Sequence, residues 1–96
     1  MQKKHYFEFN QDKNVVLFKE RGITFEQVIA LIEQDHVLDS IDHPNQIKYP
    51  NQKMYIVDID GYCYVVPHII QEDKIFLKTV IPSKKATKKY LGPVHF

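Results

Sequence analysis

The chain has one cysteine, one arginine and three glycines in 96 residues, and no acidic residue after Asp73. A single cysteine, Cys63, excludes an internal disulfide and fits a reducing compartment. It also speaks against a structural zinc site, and no two histidines have metal-ligand spacing on a common element. The few glycines form no phosphate-cradling loop, and there is no G-x-S-x-G turn and no Cys/His nucleophile pairing. No apolar run approaches the length that spans a membrane, and Met1–His5 is polar, so neither an anchor nor a signal peptide is expected. Internal repeats and low-complexity segments are lacking too. No cofactor is expected. These bounds leave one domain with one core, large enough to fold without staples.

The strongest local signals lie between Lys53 and Ile81. Three strands are expected there, Lys53–Ile59, Tyr62–Ile70 and Lys74–Ile81. Asp60-Gly61 joins the first two, because a type I′ turn needs positive φ at both central residues and Asp and Gly tolerate it best. That tip opposes Ile59 to Tyr62, Val57 to Tyr64 and Tyr55 to Val66. A turn at Glu72-Asp73 then opposes Ile70 to Ile75 and His68 to Leu77. Alternation puts Lys53, Tyr55, Val57, Val66, His68 and Leu77 on one face, and Met54, Ile56, Cys63, Val65, Lys78 and Val80 on the other. Neither face is polar, so one is expected under helices and the other is a candidate partner or substrate surface. Pro67 cannot donate to a ladder, which implies a bulge or an early end to pairing.

Upstream, His5–Phe9 reads as a short strand. Asn10 is an N-cap for a helix running to Glu20 or Arg21, with Val15 and Phe18 as its buried positions and Gly22 as its left-handed stop. Thr24 and Gln27 fit a capping box, and Ile23 and Val28 a hydrophobic staple. The helix begun at Thr24 carries an apolar stripe of Phe25, Val28, Ile29 and Ile32, ends near Asp35, and is expected to be the longest. His36–Ile41 is a candidate edge strand, and His43–Gln52, with Pro44-Asn45 and Pro50-Asn51, is a loop. Ser83 caps a last helix, Lys84–Leu91, stopped by Gly92 and Pro93. The fold class is therefore α+β. It combines an antiparallel sheet (a three-strand meander plus an N-terminal strand), two N-terminal helices on one face, and a short C-terminal helix, with the helices grouped on one side.

Charge is unevenly spread. Residues 1–73 hold seven Lys/Arg and twelve Asp/Glu, a net of −5, while residues 74–96 hold six lysines and no acid, a net of +6. Such a split suggests an anionic partner for the basic end; a solvated lysine-rich helix is the competing reading. Lys84 and Lys85 occupy a helix start, where cations oppose the dipole unless an anion completes the arrangement. Of the histidines, His43 sits in the Pro/Asn loop and His68 on the central strand, and each has a plain structural use as a turn or sheet residue. Tyr49 lies between Lys48 and Pro50, placed to stack on a base; packing is the commoner use of such rings.

Three segments resemble the BrnT-like group of small toxins from bacterial type II toxin–antitoxin systems, which have a RelE-type fold. Phe9-Asn10-Gln11-Asp12-Lys13 is similar to that group's aromatic–acid–x–x–Lys opening, with Asn10 in place of the acid. Glu20-Arg21-Gly22-Ile23-Thr24-Phe25-Glu26 resembles its Lys-His-Gly-Val-x-Phe-Glu segment, with Arg21 replacing His. Pro82-Ser83-Lys84-Lys85-Ala86 resembles its Ser-Ala-Arg-Lys-Ala close, with Lys84 at the Arg position, and Lys53 stands where an Arg usually enters the sheet. The resemblance implies a cytoplasmic, metal-independent mRNA endoribonuclease held inactive by a cognate antitoxin, alone or in an oligomer. Cleavage through the substrate's 2′-hydroxyl would leave a cyclic phosphate. On this reading the catalytic set is His43, Lys53, His68 and Lys84, and the RNA-binding set is Lys78, Lys85, Lys88 and Tyr49. Lysine in place of arginine gives up bidentate phosphate binding. The alternative is a non-catalytic module that binds a partner through an apolar sheet face and a basic C-terminal helix.

Overall fold

A computed structural model describes residues 6–92. The elements in order are β1 (Tyr6–Glu8), α1 (Gln11–Arg21), α2 (Phe25–Glu33), β2 (Val37–Asp42), β3 (Gln52–Ile59), β4 (Tyr62–Gln71), β5 (Lys74–Leu77), β6 (Ile81–Pro82) and α3 (Lys84–Leu91). His5, expected in the first strand, and the segment from Pro93 onward lie outside the described residues. The chain is α+β.

At the β3–β4 tip, Asp60 and Gly61 both take positive φ, 54° and 84°, as a type I′ turn requires. The Asp58 carboxylate accepts the Gly61 N–H at 2.8 Å and holds the turn closed. The expected register follows: Ile59 opposes Tyr62, Val57 opposes Tyr64 and Tyr55 opposes Val66. The second turn sets His68 opposite Leu77 and Ile70 opposite Ile75.

Pro67 does not disturb the β3–β4 ladder, which runs through it without a bulge. Its carbonyl accepts the Lys78 N–H at 2.8 Å, so its backbone polar groups face the β5 side. In an extended residue N and C=O point the same way, so the missing donor faces the gap between β5 and β6. The third strand therefore stops at Leu77 instead of Ile81. The chain leaves the sheet at Lys78–Val80 and returns as β6, with Ile81 opposite Val65 and Pro82 opposite Tyr64. This detour turns Val80 into the main core, contrary to simple alternation.

The strand order is β1-β5-β4-β3-β2, with β6 also beside β4. β1 pairs parallel with β5, so the sheet is mixed and not wholly antiparallel. Two helices and three strands separate β1 from β5, and no tight turn dictates their relative direction. β2 is the edge strand anticipated near His36–Ile41, antiparallel to β3 with an irregularity between Val37 and Asp39.

The main core joins Leu17, Ile23, Phe25 and Val28 to Val57, Val66, Ile75 and Leu77 of the sheet. Phe25 is almost fully buried, stacked on Phe9 at 4.9 Å. Burying such a side chain contributes about 1.5–3 kcal/mol. The capping box at Thr24 and Gln27 forms as expected. Gly22 stops α1 with φ 69°. Two expectations for the helices fail. α1, with 11 residues, is longer than α2, with 9. Val15 and Phe18 are 47% and 59% exposed, and Asn14 and Leu17 face inward instead. Asn14 is buried because its carbonyl accepts the Phe25 N–H and its amide donates to Glu26, both at 2.7 Å, tying α1 to the start of α2.

α3 does not join the other helices. It packs on the opposite face, where Ala86 meets Ile56 and Cys63. The Thr87 hydroxyl accepts the Cys63 N–H at 2.9 Å and donates to the Ser83 carbonyl at 2.8 Å. Those bonds need Thr87 buried against the strand, so helices cover both faces of the sheet and not one side.

Candidate functional site

The loop from His43 to Asn51 folds on itself. The Asn45 N–H donates to His43 Nδ1 at 3.0 Å, and the Lys48 N–H donates to the Asn45 side-chain carbonyl at 3.0 Å. The Gln46 amide donates to the His43 carbonyl at 2.6 Å. The loop ends meet where the His43 N–H donates to the Gln52 carbonyl at 2.9 Å. Pro and Asn at this spacing favour such turns, and Asn51 takes φ 68°. The result sets the rings of His43 and Tyr49 against each other, with centroids 4.4 Å apart at 43°.

Two lysines converge on the same ring. Lys48 Nζ is 5.4 Å and Lys78 Nζ 6.0 Å from the Tyr49 centroid. Lys78 arrives from the β5–β6 detour, held by its N–H on Pro67 and by its carbonyl, which accepts from Lys13 Nζ at 3.3 Å. Its ammonium donates to the buried Gln52 Oε1 at 3.2 Å. Neither Lys48 nor Lys78 forms an ion pair among the described residues. The cluster thus offers uncompensated positive charge beside a half-buried aromatic pair, chemistry suited to a phosphate next to a base.

The bond into His43 Nδ1 has a chemical consequence. A ring nitrogen that accepts a backbone N–H carries no proton, so the neutral ring holds its proton on Nε2. In that tautomer His43 offers an N–H donor on Nε2.

The other candidates fall elsewhere. Lys53 pairs with Asp42 at 3.4 Å, on the sheet face opposite Gln52 and Lys78. His68, expected to be able to move protons, is fully buried. It stacks on Tyr55 at 3.8 Å and 9°, with Nδ1 3.0 Å from the Val66 carbonyl. Nε2 has no hydrogen-bond partner among the described residues. Burial pushes its pKa down, the Val66 bond opposes this, and nearby Lys53 adds to the lowering. A neutral imidazole with no exposed surface is a core residue, out of reach of substrate.

The α3 lysines divide. Ser83 Oγ caps the helix by accepting the Ala86 N–H at 3.0 Å. Lys85 and Lys89 border a groove of about 300 Å³ that runs over Met54, Ile41 and Pro44, the neighbour of His43. At its side the Tyr90 hydroxyl donates to the Asp39 carboxylate at 2.6 Å, which lowers the Asp39 pKa. Lys88 is exposed on the same helix. Lys84 lines a different cavity, of about 460 Å³, with Arg21, Tyr62, Tyr64 and Pro82. An anion site shared by Lys84 and Lys85 is therefore not what this helix start builds.

The structure brings together His43, Tyr49 and Lys78 and separates them from Lys53, His68 and Lys84. Lys48 and Gln52 belong to the cluster and were not picked out from the sequence. Lys48 could have been, since it adjoins Tyr49 in the same loop. Gln52 carries no local signal, because its role depends on a lysine 26 residues away. Among the described residues no three His, Cys, Asp or Glu side chains group to hold a metal ion. No helix among them is long and apolar enough to cross a membrane. No family model matches the chain, and comparison with curated proteins and with solved structures gives no match, so function is read from these side chains.

Proposed function

We propose that this protein is an RNA-cleaving toxin of a type II toxin–antitoxin system, acting on mRNA in the cytoplasm and restrained by a cognate antitoxin. The observation behind it is the convergence of His43, Lys48, Tyr49 and Lys78, from segments about 30 residues apart, around one aromatic ring. The motif resemblance supplies the toxin class. Tyr49 stacks a base, and Lys48 and Lys78 neutralise the adjoining phosphate. Lys85, beside the groove that reaches Pro44, and the exposed Lys88 add positive charge on α3. His43 donates its Nε2–H to a non-bridging phosphate oxygen. The substrate's 2′-oxygen attacks phosphorus, the bond to the 5′-oxygen breaks, and the 2′-hydroxyl proton passes to water while the leaving oxygen takes one from water. Charge stabilisation in the transition state, and not a protein base, lowers the barrier.

The test is incubation of the purified chain with single-stranded and hairpin RNA, without added metal. Fragments ending in a 2′,3′-cyclic phosphate are expected, and Lys78→Ala or Tyr49→Ala should abolish them while leaving the fold intact. Intact RNA after long incubation would sink the enzymatic reading. The second reading, a non-catalytic binding module, is favoured by the groove over Met54, Ile41 and Val65 beside α3, which suits an apolar side chain of a partner.

A further inference from the structure

The cavity between the end of α1 and the start of α3 shares no residue with the Tyr49 cluster. It measures about 460 Å³ and is lined by Arg21, Tyr62, Tyr64, Pro82 and Lys84. Its lining holds two cations and no acid, and neither cation forms an ion pair among the described residues. Arg21 is the only arginine in the chain, and its planar fork binds a phosphate in two bonds where a lysine offers a point charge. Tyr62 and Tyr64 are half-buried, with centroids 5.9 Å apart at 68°, so one ring meets the edge of the other and the pair forms an aromatic wall. It is a shallow surface pocket, open to solvent, with a volume that suits a small ligand.

From these features we infer that this cavity binds a nucleotide unit, with its phosphate between Arg21 and Lys84 and its base against Tyr62 and Tyr64. The phosphate supplies the missing negative charge. The base supplies the flat apolar surface that the tyrosines match. The same chemistry is offered by a free mononucleotide and by the 5′-phosphorylated end of a strand.

Isothermal titration calorimetry with adenosine 5′-monophosphate tests the site. Saturable binding is expected, with adenosine and inorganic phosphate each at least about tenfold weaker, since each loses one half of the recognition. Arg21→Gln and Lys84→Gln should each cost about tenfold, the loss of one charge-assisted hydrogen bond. Both side chains are exposed, and an unchanged melting temperature will show that the fold holds. Tyr62→Leu should weaken AMP but not inorganic phosphate. A 5′-phosphorylated trinucleotide that binds tighter than AMP identifies a strand end as the ligand; one that binds no tighter identifies the free nucleotide. No binding of AMP would overturn the inference. So would equal binding of AMP and phosphate, or losses that follow Lys78→Gln and Tyr49→Leu in place of Arg21→Gln and Lys84→Gln.

Discussion

Two histidines show how far environment decides a residue's chemistry. His43 takes a backbone N–H on Nδ1, which leaves its proton on Nε2. His43→Gln keeps an N–H near that position and should retain within about tenfold of RNA cleavage, about one hydrogen bond's worth, while His43→Ala should lose more. Equal loss in both variants would point to proton transfer by the imidazole instead. His68 lies inside the core with its pKa lowered, mainly by burial. In the unfolded chain it takes a proton as pH falls through 6.5, whereas the folded protein resists until a lower pH. The unfolded state then binds more protons, so stability falls as pH drops below about 6.5 and is retained above it. Urea midpoints measured from pH 7.5 down to 5.5 should show that decline, and the non-titrating His68→Phe variant should flatten it. An identical slope in the variant would assign the pH dependence to other groups.

At the scale of elements, two side chains fasten helices to places that their own sequences do not mark. Asn14 satisfies the first N–H of α2, and Thr87 satisfies the Cys63 N–H of β4. Leaving a buried N–H unpaired costs about 1–3 kcal/mol. Asn14→Leu and Thr87→Val should each lower the unfolding free energy by that amount in urea titration; a neutral Thr87→Val would mean that α3 is held by Ala86 and Tyr90 contacts alone. Lys84 and Lys85 should behave in the opposite way. Both are exposed in the first turn of α3, where a cation opposes the helix dipole. The double change to Ala should leave stability unchanged or raise it by a few tenths of a kcal/mol. Toxicity or RNA binding should nevertheless fall. A double variant that melts and acts as the wild type would make both lysines solvent decoration.

Over the whole molecule, the charge split along the chain does not become one basic face. Of the six lysines after Asp73, Lys78 lies in the Tyr49 cluster, Lys85 and Lys89 border the groove beside α3 and Lys84 lines the Arg21 cavity, so no single patch gathers them. If Lys48, Lys78 and Lys85 each neutralise one phosphate, the logarithm of the RNA association constant should fall against log salt with a slope of about −2. Filter binding across a salt series measures it, and a slope near zero would remove phosphate contacts from the account. If the proposed antitoxin covers these lysines, its binding should weaken with salt for the same reason.

Features set by a few neighbouring residues were legible in the sequence. The Asp60-Gly61 turn, the β3–β4 and β4–β5 registers, the Thr24 capping box, the Gly22 stop and the Ser83 cap all depend on backbone preferences and bonds within a short span. Pro67 foretold an interruption, but not that the chain would leave at Lys78 and return at Ile81. The parallel pairing of β1, the far side taken by α3, the inward turn of Asn14 and the burial of His68 depend on partners distant in the chain. The site divides in the same way. His43 and Tyr49 share a loop and could be suspected together, whereas Lys78 reaches them only because Pro67 ends one strand pairing and Gln52 receives the ammonium. Local sequence encodes torsional preference and capping; which distant groups meet is set by the requirement that buried donors be satisfied and both apolar sheet faces be covered.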